Sequence, residues 1–218
     1  KESKYIFTVH TNIFSFKKKL SIIKKVIFFA FERALKLCDC LVFITPDVTS
    51  RFINSHPKFS KVVTIPNVFY SNIIQPSDDP LDSTRFILYS GRLSPEKNIG
   101  FIIDSYVKYR GMGGSRKLVI AGDGPEYMSL TLKAQRSPHA EDIIFLGHVD
   151  DVVNLYNKAA YLVLASGYEG FGLVILEAID HFLPVLSSNC ESGPYYILSR
   201  KSTPSFNTKY ENGLGVLL

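Results

Sequence analysis

Glu169-Gly170-Phe171-Gly172-Leu173-Val174-Ile175-Leu176-Glu177 decides how the rest of this chain is read. Two carboxylates stand with seven residues between them, the first ahead of a Gly-Phe-Gly turn and the second inside an apolar run. Just upstream, Tyr161-Leu162-Val163-Leu164-Ala165 has the length and unbroken apolar character of a buried strand. Ser166 to Gly172 follows as a glycine-rich loop, and Leu173 to about Ile179 as a helix. Glycines let a ligand approach the backbone closely, and the unpaired N–H groups at a helix start suit an anion. Glu169 is expected at the loop rim, and Glu177 more than one turn into the helix at about 1.5 Å of rise per residue. Two separated carboxylates beside an anion site suit a ligand with hydroxyls on either side of a diphosphate, as a sugar nucleotide has. The spacing alone leaves a second reading open, in which Glu169 is a cap and Glu177 a solvated helix residue.

The same alternation extends upstream and downstream of this stretch. The pattern predicts a strand over Arg85 to Ser90, a loop over Gly91 to Asn98 and a helix over Ile99 to Arg110. A strand from Lys117 to Ala121, the loop Gly122-Asp123-Gly124-Pro125 and a helix to about Gln135 come next. Strand Ile143 to Leu146 precedes a short helix, Val152 to Lys158, and the Tyr161 strand. Beyond Glu177, Pro184 to Ser187 reads as a strand and Pro194 to Ser199 as a helix. Alternation of this kind predicts a Rossmann-like parallel sheet. The loop Gly91-Arg92-Leu93-Ser94-Pro95-Glu96-Lys97-Asn98 follows a strand and opens a helix, a place where anions bind. Arg92 can fork onto two phosphate oxygens while Lys97 supplies a compact point charge. As residues alone, both could equally be surface charges around a turn.

The first part of the chain repeats the scheme. Tyr5 to Val9 is strand-like and ends at His10-Thr11-Asn12, and Phe14 to Leu37 carries apolar residues at helical spacing. Lys17, Lys18, Lys24 and Lys25 fall seven apart in pairs and share one helical face. Leu41 to Ile44 is a strand, Pro46 opens a short helix to about Ser55, and Lys61 to Ile65 is a third strand. This β-α-β-α-β order predicts parallel strands with right-handed crossovers. His10 stands at the carboxyl end of its strand, where open α/β sheets gather function, although a lone histidine there is more often structural.

Four segments in this order, "GRLSPEKN" (91–98), "IAGDGP" (120–125), "FLGHV" (145–149) and the Glu169–Glu177 string, resemble the signature of retaining glycosyltransferases of family 4. "TVHTN", "CDCLVFIT" and "VTIPNVF" look like the second half of that family's acceptor-side domain. The resemblance implies the GT-B fold, two Rossmann-like parallel-sheet domains facing a cleft, the first incomplete. The polar, proline-punctuated stretch Ser71 to Thr84 marks the boundary, which divides the chain into 1–75, 76–84 as linker, and 85–218, by the resemblance a nucleotide-sugar-binding domain lacking its last helices. The resemblance also implies transfer of a sugar, with retention, from a nucleotide-sugar donor, with UDP the favoured nucleotide, to a glycan or lipid-linked acceptor in bacterial surface polysaccharide synthesis. Arg92 and Lys97 carry over as diphosphate ligands in the Gly91 loop, Gly122 and Gly124 as parts of a nucleotide-side loop, and Glu177 as the ribose ligand. Glu169 carries over to the sugar hydroxyls, with Gly170, Phe171, Gly172 and Leu173 near sugar and phosphates, and His10 near the transferred sugar. No cofactor beyond the donor and no metal is implied. A nucleotide-sugar-binding fragment without transferase activity is the competing reading. A dehydrogenase is disfavoured because no G-x-G-x-x-G follows either first strand.

Two departures from the family pattern stand out. Asp180-His181-Phe182-Leu183-Pro184 places Phe182 where a small residue, often glycine, is usual, which implies altered packing of that turn. In "SSNCESGPYYIL" (187–198), similar to the "SGPxEIL" variant of polysaccharide-building members, Tyr196 stands in an acidic position.

Composition fits this picture. The 218 residues are 46% hydrophobic and 21% charged, a globular balance, and the net charge of +5 is explained by one local cluster, so no nucleic-acid partner is expected. Cys38, Cys40 and Cys190 are scattered and poorly spaced for metal, which predicts reduced thiols in a cytoplasmic protein. The chain opens almost directly in a strand and ends in the apolar Val216-Leu217-Leu218, so it reads as a piece of a larger fold. The Lys17–Arg33 helix is either an ordinary packing helix with solvated lysines or, with Phe28, Phe29 and Phe31 beside them, a face for an anionic membrane surface.

Overall fold

A computed structural model of the chain describes residues 4–10, 12–14, 29–30, 33, 35, 37–57, 59, 61–68, 85–190, 192–199, 210–212 and 215–217. The expected linker at 76–84 and most of the Lys17–Arg33 helix lie outside them. The chain forms two compact units, one of Lys1–Val68, Tyr168–Gly172 and Cys190–Asn207, the other of Phe69–Gly167, Leu173–Asn189 and Thr208–Leu218.

In the first unit β1 (Ile6–Val9), β2 (Cys40–Phe43) and β3 (Val62–Thr64) form a parallel sheet in the order β1-β2-β3. The parallel order expected from the alternation is therefore present. Helix α1 (Pro46–Ser55) connects β2 to β3, and Pro46 sits at its first turn, where the missing N–H costs nothing. The core is built by Val9, Ile13, Leu35, Leu41, Phe43, Val48 and Phe52. Phe52 meets Phe43 at 5.0 Å between ring centroids and stacks on His56 at 4.3 Å. Each such buried side chain contributes roughly 1.5–3 kcal/mol relative to exposure.

The second unit holds β4 (Phe86–Ser90), α2 (Ile99–Gly111), β5 (Leu118–Ala121), α3 (Tyr127–Gln135), β6 (Ile143–Gly147), α4 (Val153–Lys158) and β7 (Ala159–Leu164). Helix α5 (Leu173–Asp180) and β8 (Val185–Ser187) complete the alternation, and β9 (Tyr210–Asn212) with β10 (Gly215–Leu217) adds an edge. Helix α6 (Gly193–Ser199) belongs to the first unit. The second unit's sheet has the order β6-β5-β4-β7-β8-β10-β9, parallel throughout except for the antiparallel β9–β10 pair. All four residues of β5 are buried, as a strand covered on both faces requires. The order reverses beside β4: the chain runs outward from β4 through β5 to β6, then crosses back to place β7 on the other side of β4. Ligands of open α/β sheets lie outside the carboxyl ends of strands at such a switch point. The loops that follow β4 and β7 carry two of the four segments singled out in the sequence.

Candidate functional site

Three loops at the carboxyl ends of β4, β5 and β6 are tied together through their backbones. Gly91 N donates to Ala121 O at 2.9 Å, Leu93 N to Asp123 O at 2.9 Å, and Gly122 N to Gly147 O at 2.7 Å. Gly122 holds φ +147°, and a Cβ there would run into the carbonyl of Gly91, while one on Gly124 would meet the backbone of Leu93. These two glycines therefore serve first the close approach of neighbouring loops, and only through it any ligand. The loops enclose a cleft of about 530 Å³ lined by Ser90, Gly91, Arg92, Gly122, Gly124 and His148, among others. A second cavity of about 570 Å³, flanked by α2 and strands β4, β5, β7 and β8, is apolar and lined by none of the charged or glycine-loop residues. Convergent glycines and a cation favour the first as the site.

Arg92 is exposed, anchored by its carbonyl, which accepts the Tyr89 hydroxyl at 3.0 Å. Residues Pro95–Lys97 form a single 3-10 turn, and Asn98 follows at φ 54°, which turns the chain into α2. Glu96 stands between the two cations in sequence. Burial works to raise its pKa, but the Ser94 hydroxyl at 2.5 Å, its own backbone, Lys97 and Arg92 together hold it below the ordinary carboxylate value. The loop is thus not purely cationic: a persistently ionised carboxylate shares the field of Arg92 and Lys97. Gly167 N donates to Glu96 O at 2.8 Å, joining the β4 loop to the end of the β7 strand's loop.

Of the residues expected in the site, Gly91, Arg92, Gly122 and Gly124 line this cleft, whereas Lys97, Leu173 and Glu177 do not. Lys97 lies half-buried in the 3-10 turn, and Leu173 opens α5 with its side chain 43% exposed. Glu177 is half-buried on α5 and accepts the Tyr156 hydroxyl at 2.7 Å. Ser90 and Tyr156 were not foreseen: a serine closing a strand and a tyrosine in a short helix carry no motif. His148, which carried no expected role, lines the cleft and pairs through Nε2 with Asp150 at 3.2 Å.

The remaining expected residues belong to the first unit. Glu169, expected at the loop rim, is instead buried at 7% exposure. Its loop is closed by packing: Phe171 is buried with its ring 6.2 Å from that of Tyr196, and the Phe171 carbonyl lies so close to Gly193 that a Cβ there would collide with it. Gly172 takes φ +84°, a conformation that favours glycine. Gly170 lies half-buried between Glu169 and Phe171. His10 is exposed directly after β1, at the strand end where it was expected. Ser192, at φ 81°, accepts Asn12 Nδ2 at 2.8 Å and donates to Asp47 Oδ2 at 3.2 Å, all three being buried. Among the described residues no group of three or more histidine, cysteine, aspartate or glutamate side chains is placed to hold a metal ion.

Residues 73–206, more than half of the chain, match the family model of the glycosyl transferases group 1. The chain belongs to this family. It is 30% identical over 209 residues to an uncharacterized glycosyltransferase of Methanocaldococcus jannaschii, covering 90% of this chain and 50% of that protein. It is 33% identical over 162 residues to a probable sucrose-phosphate synthase of Thermosipho melanesiensis, covering 68% of this chain and 37% of the relative. An amylovoran biosynthesis glycosyltransferase of Erwinia amylovora is 30% identical over 112 residues, 51% of this chain and 31% of its own length. The chain thus spans half or less of these relatives' length. Among solved structures, HepE of Anabaena, in complex with UDP and glucose, superposes with a TM-score of 0.74 at 20% identity, covering 98% of this chain and 57% of that one. TarM of S. aureus gives 0.78 at 18% identity, covering 91% and 39%. Both likenesses establish the fold: α/β with parallel sheets, shared with GT-B glycosyltransferases.

Proposed function

We propose that this chain carries the donor-binding part of a retaining glycosyltransferase that takes its sugar from a nucleotide-sugar donor, with UDP as the nucleotide. The observation that carries the reading is the glycine-walled cleft at the carboxyl ends of β4, β5 and β6, with Arg92 at its edge, in the same unit as Glu177, whose carboxylate the buried Tyr156 hydroxyl holds. A diphosphate needs positive charge and close backbone approach, and a ribose needs a carboxylate acceptor; these elements supply both. Binding of UDP by HepE supports the choice of nucleotide.

In the proposed chemistry Arg92 and Lys97 stabilise the charge that develops on the departing diphosphate, the role a metal ion fills elsewhere. No metal or other cofactor is assigned. Glu177 accepts from the ribose hydroxyls, Glu169 from those of the sugar, and the amides of Gly170, Phe171, Gly172 and Leu173 serve sugar and phosphates. His10 is assigned to the neighbourhood of the transferred sugar, which leaves with retention toward a glycan or lipid-linked acceptor. A role in surface polysaccharide synthesis draws support from the amylovoran biosynthesis relative, and a place at the cytoplasmic face of the membrane is part of the same proposal. Of the basic helix, Phe29 is exposed and the Arg33 guanidinium lies over its ring at 5.9 Å, an arrangement compatible with contact to anionic lipid.

Calorimetric titration with UDP and GDP tests the donor site. Lys97→Ala and Glu177→Ala are each expected to weaken UDP binding about tenfold, the loss of one charge-assisted interaction. Absence of binding to either nucleotide by a chain with a cooperative unfolding transition would overturn the assignment. Binding without hydrolysis or transfer, in a protein of full relative length, would favour a binding module over an enzyme.

A further inference from the structure

The Glu177 carboxylate is held from within the second unit. Tyr156 of α4, buried at 2% exposure, donates its hydroxyl to Glu177 Oε2 at 2.7 Å. The Ser90 hydroxyl, at the end of β4 and in the wall of the cleft, acts on the same phenol and works to lower its pKa, against burial and Glu177. With the phenol proton committed to Glu177, the Ser90 hydroxyl can only donate toward that oxygen. Tyr156 thus links Glu177 on α5 to the side of the cleft where Ser90 stands. The tyrosine ring is itself immobilised. His181 stacks on it at 5.6 Å and 21°, and His181 Nδ1 lies 3.0 Å from Asn157 Oδ1. Burial first, and then the bond to Glu177, push the phenol pKa well above its ordinary value, so Tyr156 stays a donor at every working pH. The phenol bonds Oε2 of the carboxylate, and Oε1 takes no part in that bond.

We propose that Tyr156, backed by Ser90, is a positioning residue that holds Glu177 in the orientation presenting Oε1 to the vicinal hydroxyls of the nucleotide ribose. A tyrosine with no access to the ligand acts here through the carboxylate it orients. The inference rests on the reading of Glu177 as the ribose ligand. Its consequence is selective: loss of the Tyr156 bond should cost recognition of the ribose 2′-hydroxyl and spare contacts to base and diphosphate.

Titration of the whole chain with UDP and with 2′-deoxy-UDP tests it. The unmodified chain should prefer UDP. Tyr156→Phe should lose about fivefold to tenfold in affinity for UDP and less than about twofold for the deoxy nucleotide, so that the preference collapses. Ser90→Ala should shift the preference the same way by about twofold to threefold. Phenylalanine keeps the ring and its stacking on His181; should that variant lose its cooperative unfolding transition, Ser90→Ala carries the test. If both variants retain the unmodified preference, or lose both nucleotides in equal proportion, the residues are structural only and the inference is overturned. If the unmodified chain binds both nucleotides equally, the ribose role of Glu177 falls and the inference with it. If it binds neither, the donor-site reading itself fails, which is a distinguishable result.

Discussion

Phe182 shows how a single residue can work against its backbone. The last turn of α5 closes with Phe182 N donating to Ile179 O at 3.0 Å and Leu183 N to Ala178 O at 2.8 Å, the double bond of a Schellman ending. That ending needs a left-handed residue, and Phe182 supplies it at φ 53° with its side chain 61% exposed. The sequence had marked this position as a departure from the small residue usual in the family; the structure shows the reason to be backbone conformation more than packing. Phe182→Gly should therefore stabilise the protein by about 1 kcal/mol, read as a higher urea midpoint at unchanged m-value. An unchanged or lower midpoint would mean that the aromatic ring returns what the backbone loses. Gly122 is the opposite case, a residue already suited to its place. Gly122→Ala puts a Cβ against the Gly91 carbonyl at a φ that side chains rarely adopt, and should cost roughly 1–3 kcal/mol in thermal unfolding.

At the scale of elements, the start of α6 is held by a buried polar triad. Ser192 joins Asn12, beyond the end of β1, to Asp47 in the first turn of α1, so one hydroxyl ties three separate pieces of chain. Ser192→Ala keeps the left-handed backbone but removes one hydrogen bond from the buried Asn12 amide and one from the buried Asp47 carboxylate, and should destabilise by roughly 1–3 kcal/mol. Ser192→Gly loses the same bonds while relieving φ 81°, so it should be the milder of the two. Chemical denaturation of the pair separates the bond from the strain; equal losses would show that the strain is negligible. The elements of the second unit were largely visible beforehand: strands at 118–121, 143–147 and 159–164 and helices at 99–111 and 173–180 fall within a residue or two of expectation. Each is a long enough apolar run, bounded by glycine or proline, that local pattern alone decides it. The β9–β10 pair had no such signal, since three-residue strands are specified by partners and not by their own sequence.

At the scale of the molecule, tyrosines impose an alkaline limit on the second unit. Burial, with Asp142 nearby, pushes Tyr106 up to about 12, and its hydroxyl is satisfied by the carbonyls of Arg116 and Asp142. Burial also raises Tyr156 and Tyr161. A folded pKa above the unfolded one means that the native state keeps a proton the unfolded chain releases. The stabilisation is whole below the unfolded value of about 10 and is lost as pH climbs through the folded value. Melting temperature should therefore fall steadily from about pH 10 upward, and Tyr106→Phe should flatten part of that slope. A melting temperature independent of pH between 10 and 12 would contradict this. Such coupling is a tertiary property, and so is much of the candidate site. The sequence by itself determined the α/β class, the parallel order and the family, because apolar periodicity and the glycine–cation–carboxylate strings are local and survive in one dimension. It also marked the cleft-lining Gly91, Arg92, Gly122 and Gly124 by motif. Only the tertiary structure decided that Glu169 is buried, that Gly122 and Gly124 make room for neighbouring loops, and that Ser90 and Tyr156 stand behind Glu177. Those facts depend on residues 66 and 21 positions apart (90 to 156, and 156 to 177) meeting in space, and no local pattern encodes such a meeting.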